Sequence, residues 1–127
     1  MAAYCLLAGL CDASTGLLLL LAPLRVAALL GIAPAPPFYL SFAGAFVLAV
    51  GLTYLYPFAL AAPRRPGRLL AALEITAISR LSVASFLAAS LAAGSGVRGF
   101  VPVLATDLSL AAFQLVWLSR RGAREQH

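Results

Sequence analysis

The sequence predicts an all-α integral membrane protein, a four-helix up-and-down bundle in a single transmembrane domain. Hydrophobic residues make up 63% of the 127 residues and charged residues only 10%, whereas soluble domains are about half apolar and about a quarter charged. The hydrophobic residues also form four long runs, each long enough to cross a bilayer core about 30 Å thick. Such unbroken runs exclude a transmembrane β-barrel, whose strands alternate apolar and polar residues.

Prolines, glycines and arginines separate the four predicted spans, which cover about residues 4–22, 38–56, 69–93 and 100–119. Pro23 ends the first span, and Leu24–Leu30 predicts a short interfacial helix. A rigid loop follows, since prolines cluster at Pro34, Pro36 and Pro37. Pro57 and the basic turn Pro63–Arg68 separate the second and third spans, and Gly94–Gly99 separates the third from the fourth.

Two glycines mark the second span as a helix that packs closely against another. Gly44 and Gly51 are seven residues apart, so they lie on one face of the helix. Because glycine has no side chain, a neighbouring helix can approach the backbone closely at this face. We therefore predict that both glycines lie in a helix–helix interface.

The arginines predict the orientation in the membrane. The net charge of +5 comes from arginine alone, since the chain has no lysine. Six arginines lie on the side of the termini, at Arg64, Arg65, Arg68, Arg120, Arg121 and Arg124. The opposite loops carry one each, Arg25 and Arg98. This asymmetry predicts that the N- and C-termini are cytoplasmic. Such short arginine clusters more often set membrane topology than bind nucleic acid.

Five polar side chains inside the predicted spans are the candidate ligand-binding residues or intramembrane polar network: Asp12, Glu74, Arg80, Asp107 and Gln114. Counted from the cytoplasmic ends, Arg80 and Asp107 both lie at a depth of about 17 Å, with Asp12 at about 12 Å and within reach of the arginine. Glu74 at about 8 Å and Gln114 at about 6 Å form a second, shallower layer. The pattern thus predicts two polar layers.

Two interpretations of these layers remain open. A charge near the centre of a spanning helix costs about 2.5–3.5 kcal/mol, so each should be paired or face a wet cavity. Arg80 and Asp107 either form an ion pair that fixes helix register or surround a polar ligand together with Asp12. Glu74 lies about 120° from Arg80 around the helix. Either the bundle interior is wide enough for a ligand, or Glu74 faces outward toward a partner subunit.

The composition also argues against several kinds of site. The single histidine is His127, so the chain has no histidine pair for haem and no histidine cluster for a metal. Cys5 and Cys11 are about 9 Å apart along one helix and cannot form a disulfide with each other. The serines of the third span are typical of hydrogen bonding within or between helices. We therefore expect no metal, no catalytic residue and no nucleic-acid partner.

The order of these features resembles the DoxX-like superfamily of small four-helix bacterial membrane proteins. The resemblance rests on the acid in the first span, Arg80 in the third, the acid Asp107 in the fourth, and on Leu21, Ala22, Pro23, Gly31, Gly44, Gly51 and Tyr54. It implies the four-helix fold, and some members are linked with quinone-coupled sulfur oxidation. It also implies that Glu74 corresponds to an acid often found early in the second half of such proteins, although the surrounding glycine pattern is missing here.

These observations lead to one functional expectation and two alternatives. We expect a protein that binds membrane lipid or a quinone-like ligand, or that serves as an accessory subunit of a larger membrane complex, without being an enzyme itself. Its partner would be another membrane protein or further copies of this chain. The first alternative is a quinone-linked oxidoreductase membrane subunit, with Asp12, Arg80 and Asp107 around the quinone head. The second is a proton-coupled transporter, for which four spans form a small path.

Overall fold

A computed structural model describes residues 1–32, 36–59, 66–94 and 98–125, where all regular structure is helical. The elements are α1 (Ala2–Leu21), α2 (Pro23–Leu29), α3 (Pro37–Ala59), α4 (Pro66–Ala92), a 3₁₀ turn (Arg98–Phe100) and α5 (Val101–Glu125). Four segments are long and apolar enough to cross a membrane, namely Ala2–Leu21, Pro37–Phe58, Gly67–Ala92 and Arg98–Arg121. The predicted all-α fold with four membrane-length helices is confirmed, and the chain is a multi-pass membrane protein.

Prolines lie at several helix boundaries, which differ slightly from the predicted ones. Pro23 and Pro66 each begin a helix instead of lying in a turn before it. The first N–H groups of a helix have no intrahelical partner, so proline at this position loses no hydrogen bond. α3 continues through Pro57 to Ala59, although proline lacks the N–H that would bond to the carbonyl four residues earlier. The predicted loop and turn residues Pro34, Pro63, Arg64 and Arg65 lie outside the described residues.

The first compact unit, Met1–Ala72, is built on α1 lying antiparallel to α3. Leu19 near the end of α1 and Leu40 near the start of α3 form a buried cluster with Ala27 of α2. α2 therefore packs where α1 ends and α3 begins. At the opposite end of this helix pair, the rings of Tyr4 and Tyr54 meet edge to face with centroids 6.1 Å apart.

Four buried glycines form the interface between α1 and α3, which we call the glycine seam: Gly9, Gly16, Gly44 and Gly51. A Cβ atom at Gly44 would lie 2.7 Å from the Leu19 Cβ atom, and one at Gly51 would lie 2.9 Å from the Gly9 carbonyl oxygen. Real Cβ atoms essentially never come this close to other heavy atoms. The seam therefore brings two helix backbones into direct contact, as small residues do in membrane helices.

The second compact unit, Leu73–His127, contains most of α4 and all of α5. The two helices run antiparallel, since Arg80 contacts Asp107 while Thr76, earlier in α4, contacts Gln114, later in α5. Buried alanines such as Ala77, Ala84 and Ala111 fill the space between larger groups.

Large apolar side chains cover the outside of the spanning helices. Exposed examples occur on all four, including Leu7 on α1, Phe46 on α3, Ile78 on α4 and Phe113 on α5. In water such a surface would drive aggregation, whereas in a bilayer it contacts acyl chains. Lipid is therefore the environment of these faces.

Candidate functional site

The deepest polar contact in the second unit is an ion pair between Arg80 and Asp107. Nη1 of Arg80 donates a hydrogen bond to Oδ1 of Asp107. Both residues are buried, with 5% of Arg80 and 9% of Asp107 exposed. The pair leaves little net charge at this point, which lowers the cost of placing each ion in a medium of low dielectric constant.

Both members of this pair lie near the middle of their helices. Arg80 is about 20 Å along the axis from Gly67, in a candidate span about 39 Å long, and Asp107 is about 14 Å from Arg98 in a span about 36 Å long. Arg80 and Asp107 were predicted to meet at equal depth, and the structure brings them together. An unpaired charge at this depth would carry nearly the full insertion cost.

A second polar contact lies one helical turn from the ion pair along α4. Nε2 of Gln114 donates a hydrogen bond to Oγ1 of Thr76 at 2.9 Å, and Oγ1 of Thr76 donates to the Leu73 carbonyl oxygen at 3.2 Å. Both side chains are essentially inaccessible to solvent. Thr76 and Arg80 are four residues apart, and Asp107 and Gln114 are seven apart, so each pair lies on one helix face.

Glu74 does not belong to this interior layer. Its side chain is exposed, on the same side of α4 as Ile75 and Ile78, which are also exposed. The predicted shallow layer of Glu74 and Gln114 is therefore corrected, because Gln114 contacts Thr76 and Glu74 is exposed. The physical reason is rotation: Glu74 and Thr76 are two residues apart and so lie about 200° from each other around the helix.

Asp12 lies in the first unit, on α1, and is partly buried. It makes an electrostatic or hydrogen-bonding contact of its own within the chain. Its predicted approach to Arg80 remains a prediction. The predicted packing residues Gly44 and Gly51 are also in this unit, where both lie against α1.

The sequence analysis did not predict several residues that form the helix contacts, although the sequence contains signals for them. Gly9 and Gly16 have the same seven-residue spacing as Gly44 and Gly51, which marks them as the opposite half of the seam. Thr76 shares a face with Arg80, as its four-residue spacing indicates. Other hydroxyls bond within their own helix, for example Ser79 Oγ to the Ile75 carbonyl oxygen at 3.0 Å.

The arrangement of the second unit is suited to holding two helices together more than to chemistry. Arg80 and Asp107 neutralise each other, and Gln114 and Thr76 are enclosed. Among the described residues, no three histidine, cysteine or acidic side chains come together as metal ligands. Of the predicted polar residues in this unit, Glu74 alone is available to a group outside the protein.

Comparison of the chain with protein-family models, with curated proteins and with solved structures finds no match. The site is therefore interpreted from its own geometry.

Proposed function

We propose that the protein is an accessory subunit of a larger membrane complex and that α4 binds a partner helix through Glu74. The observation that supports this proposal is an exposed carboxylate on an otherwise apolar helix face. Intramembrane acids are rare and usually meet a partner, a substrate or a proton path. Among the described residues of the second unit Glu74 meets none of these, since the polar interior groups contact one another.

The depth of Glu74 explains why a partner would stabilise it. The candidate span Gly67–Ala92 is about 39 Å long and exceeds the hydrocarbon thickness by about 9 Å. If this excess is shared equally, the Cα atom of Glu74 lies about 6 Å inside the hydrocarbon. Its side chain leans toward the helix N-terminus and so toward the nearer interface. A donor from a neighbouring helix at this level would satisfy the carboxylate without drawing water inward.

The charge of this face favours a different protein over a second copy of the chain. From Leu73 to Ala92, the exposed residues of α4 are apolar or hydroxyl-bearing except for Glu74. Two copies related by a two-fold axis along the membrane normal would place both Glu74 side chains at the same depth. Like charges at short range in a low dielectric repel. We therefore propose a partner helix that presents arginine, lysine or a hydroxyl group at this level.

The lipid or quinone ligand at Arg80 is the competing proposal. It requires a polar head to reach a guanidinium group that is 5% exposed and already engaged by Asp107. A quinone-linked oxidoreductase subunit, or a proton path through the same residues, would have to open this pair. The resemblance to DoxX-like proteins leaves these alternatives in place, so the experiment below distinguishes them.

We further propose that the protein lies in the bacterial cytoplasmic membrane with both termini in the cytoplasm. In support, Arg68 stacks over Tyr56 with its Cζ atom 5.6 Å from the ring centroid, and Arg121 lies 5.7 Å from the Trp117 ring. Such cation–aromatic pairs suit the membrane interface. A green fluorescent protein fused to the C-terminus should fluoresce, and alkaline phosphatase at the same point should be inactive. The reverse pattern would contradict this orientation.

The partner proposal is tested by site-specific photocrosslinking in the native membrane. A photoreactive amino acid at Ile78, which is 66% exposed and one turn from Glu74, should give a discrete adduct with one membrane protein. Glu74→Leu should lower the adduct yield at least tenfold, because a hydrogen bond to a charged group contributes about 1.5–3 kcal/mol. Glu74→Gln should retain part of the yield, since an amide still bonds to a donor.

The matched control places the same photoreactive residue at Leu108, an exposed position on α5, where no Glu74-dependent adduct should form. Peptide sequencing of the adduct should identify a membrane helix with a donor at the level of Glu74, and replacing that donor with leucine should abolish the adduct. An adduct of twice the chain mass would instead indicate self-association. Purification in mild detergent as a monomer with a bound quinone would refute the subunit proposal in favour of the ligand.

A further inference from the structure

The junction between α1 and α2 forms an open groove of about 430 Å³, lined by Leu21, Ala22, Pro23, Leu24, Arg25 and Pro37. α1 has 20 residues and is therefore about 30 Å long, the thickness of the hydrocarbon core. If α1 is centred in the bilayer, its last residue, Leu21, lies at the membrane boundary. The helix α2, which follows directly, then lies at the level of the lipid headgroups.

The packing of α2 determines which side chains face the lipid. Ala27 is buried against Leu19 and Leu40, with Val26 packed on the same cluster. Leu24, Arg25 and Leu29 are exposed, and Leu29, on the side opposite Ala27, is 87% exposed. A helix with exposed leucines beside an arginine is suited to the interface, with the apolar groups among acyl chains and the cation at the phosphates.

Arg25 has no ion-pair partner among the described residues. Of the described residues that line the groove, it alone is charged. A phosphate bound there would find a cation, whereas the ammonium group of a zwitterionic lipid would find no carboxylate. The charge of the groove is therefore complementary to a phosphodiester that carries no cation of its own.

From these contacts we propose that the groove binds one anionic phospholipid, with its phosphate on Arg25 and an acyl chain along Leu21 and Leu24. The binding is independent of the partner at Glu74, which lies in the other compact unit. The bound lipid would fix the depth of the first unit in the bilayer, because Arg25 would hold the phosphate while the neighbouring leucines hold the acyl chain.

Native mass spectrometry of the delipidated full chain tests this proposal. Titration with phosphatidylglycerol and with phosphatidylcholine of identical acyl chains should show about fivefold tighter binding of the first phosphatidylglycerol, as expected for one arginine near the surface. Arg25→Gln should remove this preference, and Arg25→Lys, which retains the charge, should keep it in part. Inorganic phosphate at equal concentration should not displace the lipid.

The matched control is Arg98→Gln, which removes an exposed arginine of the 3₁₀ turn on the same predicted side of the membrane. This variant should retain the preference for phosphatidylglycerol. Equal loss in Arg25→Gln and Arg98→Gln would indicate a general charge effect and overturn the proposal, as would an unchanged preference in Arg25→Gln. Displacement of the lipid by inorganic phosphate would contradict the proposal that the groove binds a phospholipid. It would indicate a site for a free anion.

Discussion

Replacing Gly51 with leucine will separate α1 from α3. A Cβ atom at this position would lie 2.8 Å from the Ala13 Cα atom and 2.9 Å from the Gly9 carbonyl oxygen, both parts of a helix backbone that has no rotamer to change. Overpacking against flexible side chains costs about 1–3 kcal/mol, so a collision with backbone should cost at least about 3 kcal/mol. The near-UV circular dichroism, to which the Tyr4–Tyr54 contact contributes, should be lost at a lower concentration of denaturing detergent.

Gly67→Leu is the matched control for this experiment. A Cβ atom at Gly67 would have no neighbour within 4 Å, and leucine has a higher helix propensity than glycine by up to about 1 kcal/mol. This variant should be neutral or slightly more stable. Equal destabilisation of the Gly51 and Gly67 variants would show that close backbone contact is not what holds the two helices together.

Arg80→Ala should destabilise the second unit more than any substitution on its exposed faces. It leaves the buried Asp107 carboxylate without its arginine, and breaking a buried ion pair in this way costs about 3–5 kcal/mol. The double variant Arg80→Met with Asp107→Leu should recover most of the loss, because it removes both charges and retains apolar volume. Thermal unfolding in mild detergent, followed by Trp117 fluorescence, measures these differences.

Glu74→Ala provides the comparison within the same helix. Glu74 is exposed and makes no contact with the α4–α5 interior, so its removal in detergent should change stability by no more than about 0.5 kcal/mol. If Arg80→Ala and Glu74→Ala unfold at the same temperature, the central ion pair contributes nothing to stability. That result would favour the competing proposal of a ligand at Arg80.

The central ion pair could be predicted from the sequence because two independent quantities agreed. Arg80 and Asp107 lie at equal distances from the predicted membrane surface, and a charge at that depth has a high cost when unpaired. The cost of burying an unpaired charge therefore favours a contact between the two opposite charges on adjacent helices. The structure pairs them.

The shallow layer could not be derived from depth alone. Glu74 and Gln114 have similar predicted depths, yet depth contains no information about the direction of a side chain around the helix. Once Arg80 faces α5, a residue four positions earlier faces it too, whereas Glu74 is rotated away by about 120°. Gln114 accordingly bonds to Thr76. A neutral threonine gives no signal in a search for intramembrane charges.

The helix boundaries also could not be predicted fully from the sequence. Proline is typical of turns, and the sequence pattern therefore predicts Pro57 and Pro66 outside the helices. Pro66 is tolerated because it lies among the unpaired N–H groups at the start of α4. The residue at which a helix begins depends on the conformation of the preceding turn. The sequence of the turn alone does not contain this information.

The glycine seam has a thermodynamic consequence for the first unit. Burying a leucine or a methionine restricts its rotamers and costs side-chain entropy, whereas burying glycine costs none of this kind. Lipid chains are as apolar as leucine, so water exclusion does not drive helices together within a bilayer. At Gly9, Gly16, Gly44 and Gly51, α1 and α3 instead gain dispersion contacts between backbones that are already ordered. The pair therefore associates at a low entropic cost.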